Sequence, residues 1–195
     1  MSLPTLNIGT IGHVAHGKTT LVRAMTGERT QRSSVELEKN VTINLGYSNC
    51  KIWKCSDCES LTSTNSDPET MTCQTCFGSC VVVKHFSFVD CPGHTAFLAT
   101  MLGGAAVMNY AILVVAANQD CPQPQTFEHY KAVKAAGIPI LFVVQNKIDV
   151  CTPEQIRKSY EQIRKFVPEL SVYPIVVQPS LSHRSEERRV GKECA

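Results

Sequence analysis

The chain has 195 residues, of which 43% are hydrophobic and 18% are charged, and its formal net charge is +2. This length predicts one domain that folds without disulfides, and the apolar content excludes an intrinsically disordered chain. So small a net charge excludes a role that depends on overall electrostatic attraction to nucleic acid or to a membrane. Residues 1–12 lack a signal-peptide pattern and the apolar run at 105–117 is too short to span a bilayer, so we expect a cytoplasmic protein.

Apolar runs alternate with segments of helical periodicity, which indicates an α/β fold with a mostly parallel, doubly wound sheet and helices on both faces. A polar segment after the first helix has no periodicity and is predicted to be a mobile loop. The last helix has clear limits, since Thr152 is an expected N-cap and Pro153 follows it. In chain order the predicted elements are strand 5–11, helix 21–27, loop 28–40, strand segments 41–53, strand 81–89, helix 96–108, strand 110–117, helix 124–137, strand 138–144, helix 152–166 and strand 173–177.

The segment GHVAHGKT, residues 12–19, lies between the first strand and the first helix. It fits the phosphate-loop pattern G-x-x-x-x-G-K-[ST], in which glycines let backbone N–H groups point at phosphate oxygens. Lys18 is expected to contact the β- and γ-phosphates, and the Thr19 hydroxyl to bind Mg²⁺. The predicted phosphate-binding residues are Ala15, His16, Gly17, Lys18, Thr19 and Thr20.

A second motif, D-x-x-G from Asp90 to Gly93, follows the strand at 81–89. The carboxylate is expected to hold Mg²⁺ through water, and the Gly93 N–H to contact the γ-phosphate, because glycine permits a close approach. His94 either positions the attacking water or is a packing or surface residue, and the other histidine side chains are interpreted as structural. Thr42 is either a Mg²⁺ ligand that responds to the γ-phosphate or a β-branched strand residue.

A third motif, NKID from Asn146 to Asp149, follows the strand at 138–144. Guanine presents two neighbouring donors, N1–H and the exocyclic amine, and the Asp149 carboxylate can accept from both, whereas adenine would leave it unpaired. Lys147 is expected to lie over the base, and Asn146 to join the loops. The motif therefore predicts GTP or GDP as the ligand, and its alternative interpretation is an ordinary polar turn.

Six of the ten cysteines lie between Cys50 and Cys80. Two C-x2-C pairs separated by fourteen residues favour one tetrahedral, structural Zn²⁺ in an insert at 54–80. The residues between the pairs offer too little apolar surface to fold unaided, so the metal is expected to organise them. Cys80 can replace one ligand, Cys50 is not expected to, and redox-active or incidental cysteines are the alternative. The predicted zinc ligands are Cys55, Cys58, Cys73 and Cys76.

GHVAHGKT, DCPGH and NKID together resemble the GTP-binding domain of the translation factors related to elongation factor Tu. Three features are similar, more narrowly, to the gamma-subunit family of eukaryotic initiation factor 2. They are Ala15, where most related factors have Asp, the run CPQPQT at 121–126, and the cysteine-rich insert. The resemblance covers residues 6–177 and implies a P-loop GTPase domain that uses GTP or GDP, Mg²⁺ and a structural Zn²⁺.

This resemblance implies a GTP-hydrolysing subunit that assembles with alpha and beta subunits. It implies delivery of initiator methionyl-tRNA to the small ribosomal subunit, controlled by GTPase-activating and exchange factors, with no membrane partner. It also implies that His94 orients the catalytic water, that Thr42 binds Mg²⁺, and that Val14 and Val41 shield His94. Two β-barrel domains that hold most of the tRNA contacts in this family are not in the sequence, so we expect the chain alone to bind that tRNA poorly. We hypothesise that the insert docks the beta subunit or the tRNA complex beside the nucleotide loops.

Two other functions stay open. One is a tRNA-delivering GTPase of the selenocysteine-specific type, against which CPQPQT and the zinc insert argue. The other is a GTP-gated zinc-ribbon interaction module without hydrolysis. Residues 1–183 are predicted to form the GTP-binding domain. The run RSEERRVGKEC has no apolar periodicity and resembles a translated sequencing adapter, so 184–195 are predicted to be a non-native tail, with a genuine charged tail as the alternative. The family's last guanine-contacting loop contains Ser-Ala, which VQPSL at 177–181 replaces, and Ser180 is a poor candidate for it.

Overall fold

The structure is a computed structural model that describes residues 4–169, except 32, 40, 41 and 65–69. This part contains seven strands, five helices and two 3₁₀ turns, which are Thr95–Phe97 and Ile148–Val150. The strands are β1 (Leu6–Ile11), β2 (Gly46–Cys55), β3 (Leu61–Thr64), β4 (Met71–Thr72), β5 (Ser79–Asp90), β6 (Tyr110–Ala116) and β7 (Ile140–Asn146). The helices are α1 (Lys18–Thr26), α2 (Ser34–Lys39), α3 (Leu98–Ala105), α4 (Pro124–Ala135) and α5 (Pro153–Phe166).

All seven strands belong to one sheet in the order β3-β2-β5-β1-β6-β7, with β4 paired to β5. Strands β5, β1, β6 and β7 run parallel to one another, which confirms the predicted parallel core. The pairs β2–β3, β2–β5 and β4–β5 are antiparallel, so the sheet is mixed on the side of the cysteine-rich insert. The predicted strand at 173–177 and the predicted tail at 184–195 lie outside the described residues.

Strand β6 lies at the centre of the core and is buried on both sides, as its continuous apolar run predicts. Neighbouring residues in β6 point to opposite faces. Leu113 packs with Met101 of α3 and Val133 of α4, whereas Val114 packs with Val22 of α1. The prediction of helices on both faces is therefore confirmed. No helix in the described ranges is long and apolar enough to cross a membrane.

The segment 28–40, predicted to be a loop, contains the short helix α2, and β2 begins only at Gly46 rather than at residue 41. The run Ser33-Ser34-Val35-Glu36 fits the capping-box pattern S-x-x-E that starts helices. Glu36 indeed accepts a hydrogen bond from the Ser33 backbone N–H at 3.2 Å. The helix was not predicted because its residues are mostly polar and it is too short to show apolar periodicity.

The cysteine-rich insert continues the long antiparallel pair of β2 and β5. Gly46 faces Asp90 at one end of this pair, and Cys55 faces Cys80 at the other. At roughly 3.4 Å per residue, these ends lie about 30 Å apart along the strands. The hypothesis that the insert lies beside the loop of Thr42 and Asp90 is therefore wrong, because a hairpin carries its tip away from the residues where it starts.

Helix α5 begins with the predicted N-cap. The Thr152 hydroxyl accepts from the Gln155 N–H at 3.3 Å, and the Gln155 side chain accepts from the Thr152 N–H at 2.9 Å. We expect Thr152→Ala to lower the free energy of unfolding by about 1 kcal/mol. The Gln155 N–H loses its acceptor, and the reciprocal hydrogen bond from the Thr152 N–H is no longer held in place. Chemical denaturation measures this loss, with Thr152→Ser as the control that keeps the hydroxyl. Equal denaturation midpoints for the alanine and serine variants would contradict the capping role.

Candidate functional site

The carboxyl ends of β1, β5, β6 and β7 lie at one edge of the sheet, because these four strands are parallel. The antiparallel strand β2 starts at the same edge, where Gly46 pairs with Asp90. The three predicted motifs and Thr42 all follow or precede these strand ends. Tertiary structure thus brings together segments that are up to 130 residues apart in sequence, as the Asn146–His16 contact illustrates.

The loop at 12–19 curls around the side chain of Lys18. The Lys18 ammonium donates to the Gly12 carbonyl at 2.9 Å and to the His13 carbonyl at 2.8 Å. Burial lowers the pKa of Lys18 to about 8, while the nearby Asp90 carboxylate acts in the opposite direction. Gly17 has a φ of +96°, and a Cβ there would overlap the Asn146 amide. A side chain at position 17 would therefore separate the loop from the strand end of β7.

Asp90 lies fully buried at the end of β5. Its carboxylate accepts from the Thr10 hydroxyl at 3.2 Å and from the Thr30 hydroxyl at 2.7 Å. Burial raises the pKa of Asp90, and hydrogen bonds from threonines together with the charge of Lys18 oppose this rise. The Thr19 and Thr42 hydroxyls lie 2.9 Å apart, so they form a cluster of hard oxygen atoms of the kind that Mg²⁺ prefers.

Thr42 lies before β2 and not within it, so the strand interpretation of this residue is wrong. The threonine stands instead in the connection between α2 and β2, where its side chain reaches the phosphate loop through Thr19. Position 42 therefore couples the two segments directly. Its neighbour Val41, expected to shield His94, lies outside the described residues.

The NKID segment contacts the phosphate loop through Asn146. The buried Asn146 side chain donates from Nδ2 to the His16 carbonyl at 2.8 Å, while its Oδ1 has no partner among the described atoms. Lys147 has a left-handed backbone with φ of +60°, and Asp149 follows in an exposed position. The arrangement holds the loops together, as predicted for Asn146, and leaves the Asp149 carboxylate accessible to a ligand.

Gly93 approaches the phosphate loop closely. A Cβ at this position would lie 2.5 Å from Lys18 Nζ and 2.9 Å from the Val14 nitrogen, so only glycine fits without displacement. His94 follows with an exposed side chain, whose Nδ1 accepts from the Ala96 N–H at 3.1 Å. The imidazole therefore lies at the surface, directly after a glycine that closely approaches the phosphate loop.

Two buried histidine side chains support the phosphate loop. His16 Nδ1 lies 3.2 Å from the Val114 carbonyl, and its Nε2 lies 3.1 Å from Gln119 Oε1. His129 in α4 accepts from the Gly12 N–H at 3.3 Å. The sequence predicts a structural role for His129 but does not connect this residue with the loop. The helical spacing of Thr126, His129 and Val133, all buried, marks the inward face of α4. The hydrogen-bond partner of His129, Gly12, is 117 residues away in the sequence.

The four predicted zinc ligands lie together at the far end of the β2–β5 pair. Their sulfur atoms are all within 4.8 Å of one another, and Cys80 is not in the group. The Asp57 and Thr75 N–H groups each donate at 3.4 Å to Cys55 and Cys73 Sγ respectively. Such a compact set of thiols fits a tetrahedral Zn²⁺ with Zn–S bonds of about 2.3 Å.

Burial makes His16 and His129 sensitive to acid. It lowers the pKa of each from 6.5 to about 4, so the unfolded chain binds protons that the folded protein does not. Their contribution to stability is fully present above pH 6.5 and is lost as the pH falls towards 4. Asp90, whose pKa burial raises, gives the opposite slope, so a variant must be compared with the parent protein.

We expect His129→Asn, which keeps an acceptor near Nδ1 but cannot be protonated, to lose less stability than the parent between pH 6.5 and 4. Urea unfolding at several pH values measures the difference in slope. Parallel pH profiles for both proteins would contradict a neutral, buried His129.

The chain matches the family model described as "Elongation factor Tu GTP binding domain" over residues 3–188. It is 51% identical over 170 residues to "Eukaryotic translation initiation factor 2 subunit gamma" from Encephalitozoon cuniculi, covering 84% of this chain and 38% of that protein. It is 47% identical over 171 residues to "Eukaryotic translation initiation factor 2 subunit 3" from Drosophila melanogaster, covering 84% of this chain and 36% of that protein. The chain thus spans little more than a third of the length of these curated relatives.

Two solved structures have the same fold. The bacterial selenocysteine-specific elongation factor EF-Sec superimposes with a TM-score of 0.63 and 27% identity, covering 86% of this chain and 24% of that one. The elongation factor SelB from Methanococcus maripaludis, in complex with the GTP analogue GppNHp, gives a TM-score of 0.57 and 25% identity, covering 86% and 27%. The chain belongs to the family of elongation factor Tu GTP binding domains, and its predicted similarity to the gamma subunits of initiation factor 2 is confirmed.

Proposed function

We propose that this chain is the GTP-binding and GTP-hydrolysing domain of a cytoplasmic initiation factor that delivers initiator methionyl-tRNA to the small ribosomal subunit. The observation that carries the proposal is the convergence of the phosphate loop, Asp90–Gly93 and Asn146–Asp149 at one sheet edge, with direct contacts between them. Identity of 46–51% to gamma subunits supports the role in initiation.

In this proposal the nucleotide lies across the edge of the sheet. Backbone N–H groups of the phosphate loop and the Lys18 ammonium bind the phosphates, for which Lys18 exchanges its carbonyl partners. Asp149 accepts both guanine donors, while Lys147 lies over the base. Asn146 joins the base-binding loop to the phosphate-binding loop by donating to the His16 carbonyl. The phosphate-loop contacts are assigned to Ala15, His16, Gly17, Lys18, Thr19 and Thr20.

Thr19, Thr42 and Asp90 would hold Mg²⁺, Asp90 through water. Their oxygen atoms fit this ion because the two threonine hydroxyls lie 2.9 Å apart and Asp90 is fixed by its own hydrogen bonds. When bound, Mg²⁺ neutralises charge on the β- and γ-phosphates. Through Thr42, the presence or absence of the γ-phosphate affects the connection between α2 and β2.

His94 is the proposed catalytic residue, since its side chain is exposed next to Gly93, whose backbone lies close to Lys18 and Val14 of the phosphate loop. There its imidazole orients the attacking water, while the Gly93 N–H contacts the γ-phosphate. Val14, half-buried in the phosphate loop, would form one side of an apolar shield for it.

The four cysteines would hold a structural Zn²⁺ with every coordination position filled by thiolate. Such a site leaves no open position for a substrate, so its role is to organise the tip of the β2–β5 pair. Cys80 pairs with Cys55 in the strand ladder and lies outside the sulfur cluster, which argues against it as a ligand.

The proposed partners are the alpha and beta subunits, the small ribosomal subunit, GTPase-activating and exchange factors, and initiator tRNA through parts outside this chain. Two alternatives have separate tests. A selenocysteine-specific factor is disfavoured by 27% identity to the selenocysteine-specific factor EF-Sec, against 46–51% to gamma subunits. A non-hydrolysing interaction module would bind GTP without turnover, even with an activating partner.

With Mg²⁺ present, we expect calorimetry to show binding of GTP and GDP and a discrimination against ATP of about 10⁴-fold. Equal affinity for ATP and GTP would refute the assignment of Asp149 to guanine.

In single-turnover hydrolysis with an activating partner, His94→Ala should lower the rate by about 100-fold or more and leave GTP affinity unchanged, because His94 acts on the water and not on the nucleotide. Turnover by His94→Ala at the parent rate would refute its catalytic role.

Metal analysis tests the cysteine cluster. We expect about one zinc per purified chain, and loss of the metal in Cys55→Ser because the tetrahedral set is incomplete. Cys80→Ser is the matched control and should keep its zinc. GTP affinity should survive the loss of zinc, since about 30 Å of paired strand separates the two sites. Loss of zinc in Cys80→Ser, but not in Cys55→Ser, would show that the ligand set is wrong.

A further inference from the structure

Glu36 is a buried acidic residue that the proposed GTPase machinery does not include. It lies in α2 with only 4% of its surface exposed. One carboxylate oxygen accepts from the Ser33 N–H at 3.2 Å and so caps the start of the helix. The other oxygen accepts from the N–H groups of Ile43 and Asn44, both at 2.9 Å.

The last two of these contacts hold the residues that come directly after Thr42. A carboxylate suits this position because it only accepts hydrogen bonds, and the Ser33, Ile43 and Asn44 groups that meet it are backbone donors. A glutamine in its place would offer one accepting oxygen and turn a donating amine towards a donor. The geometry therefore ties the connection between α2 and β2 to a charged group, in addition to the packing of Leu45 against the core.

The same connection meets the phosphate loop one residue earlier. Thr42 Oγ1 lies 2.9 Å from Thr19 Oγ1, at the proposed Mg²⁺ site. Glu36 thus fixes the backbone on the C-terminal side of Thr42, while the Thr19 hydroxyl contacts the Thr42 hydroxyl. With both contacts made, the Thr42 hydroxyl is held towards the phosphate loop.

We propose that Glu36 is a positioning residue that latches the Thr42 segment in the arrangement required to sense the γ-phosphate. This inference rests on the proposed GTP-dependent role of Thr42. A latch of this kind favours the triphosphate-bound protein, because only that state uses Thr42 at the metal. It has little effect on GDP binding, which depends on the phosphate loop and NKID.

The test compares affinities for a non-hydrolysable GTP analogue and for GDP, with Mg²⁺, by calorimetry on the full chain. We expect Glu36→Gln to weaken binding of the analogue by about tenfold and to leave GDP affinity unchanged, since it removes charge-assisted hydrogen bonds from one state only. Glu38→Gln is the matched control, because Glu38 is exposed on the same helix and should change neither affinity.

Two further measurements separate positioning from a general loss of structure. In a Thr42→Ala background, Glu36→Gln should have no additional effect on the affinity ratio, because the latch acts through Thr42. Amide hydrogen exchange at Ile43 and Asn44 should be faster in Glu36→Gln with the analogue bound, while the urea midpoint of Glu36→Gln reports any loss of folding.

Equal weakening of both nucleotides by Glu36→Gln, or an undiminished effect in the Thr42→Ala background, would overturn the latch. So would an unchanged affinity ratio in a parent protein that binds GTP. A parent protein that binds neither nucleotide would instead overturn the proposed function, and this inference with it.

Discussion

Because β1 pairs in parallel with β5 on one side and with β6 on the other, the loops that follow these strands begin at the same edge of the sheet. Strand β7 adds the NKID segment to that edge through its parallel pairing with β6. Every contact in the candidate site depends on this alignment. If one of these strands ran in the opposite direction, its motif would lie at the far side of the core.

Within that frame, polar side chains link the loops to one another by hydrogen bonds. Asn146 donates to the His16 carbonyl, His129 accepts from the Gly12 N–H, and Glu36 accepts from Ile43 and Asn44. Each joins a side chain from one segment to the backbone of another. This arrangement suits loops at the edge of a sheet, because buried backbone groups need partners wherever regular structure ends.

Opposite charges are also buried at the edge. Lys18 and Asp90 both lie in the interior, where burial alone would favour their neutral forms. Each charge favours the ionised state of the other, and carbonyl and hydroxyl partners add to this effect. The β2–β5 pair links this charged edge to the cysteine cluster at its other end, so one pair of strands carries two chemically unrelated sites.

The sequence by itself determined the elements with strong local signals: the buried strands, the capped helix α5, the three motifs and the cysteine spacing. Each of these depends on residues that are close together in the chain. The start signal of α2 is also local, although this helix is too short to show apolar periodicity. The sequence did not determine that the insert points away from the edge that carries the three motifs, or that His129 supports Gly12. These features were decided by tertiary structure, because strand direction and contacts across more than a hundred residues arise only when the sheet is assembled and leave no periodic trace in the chain.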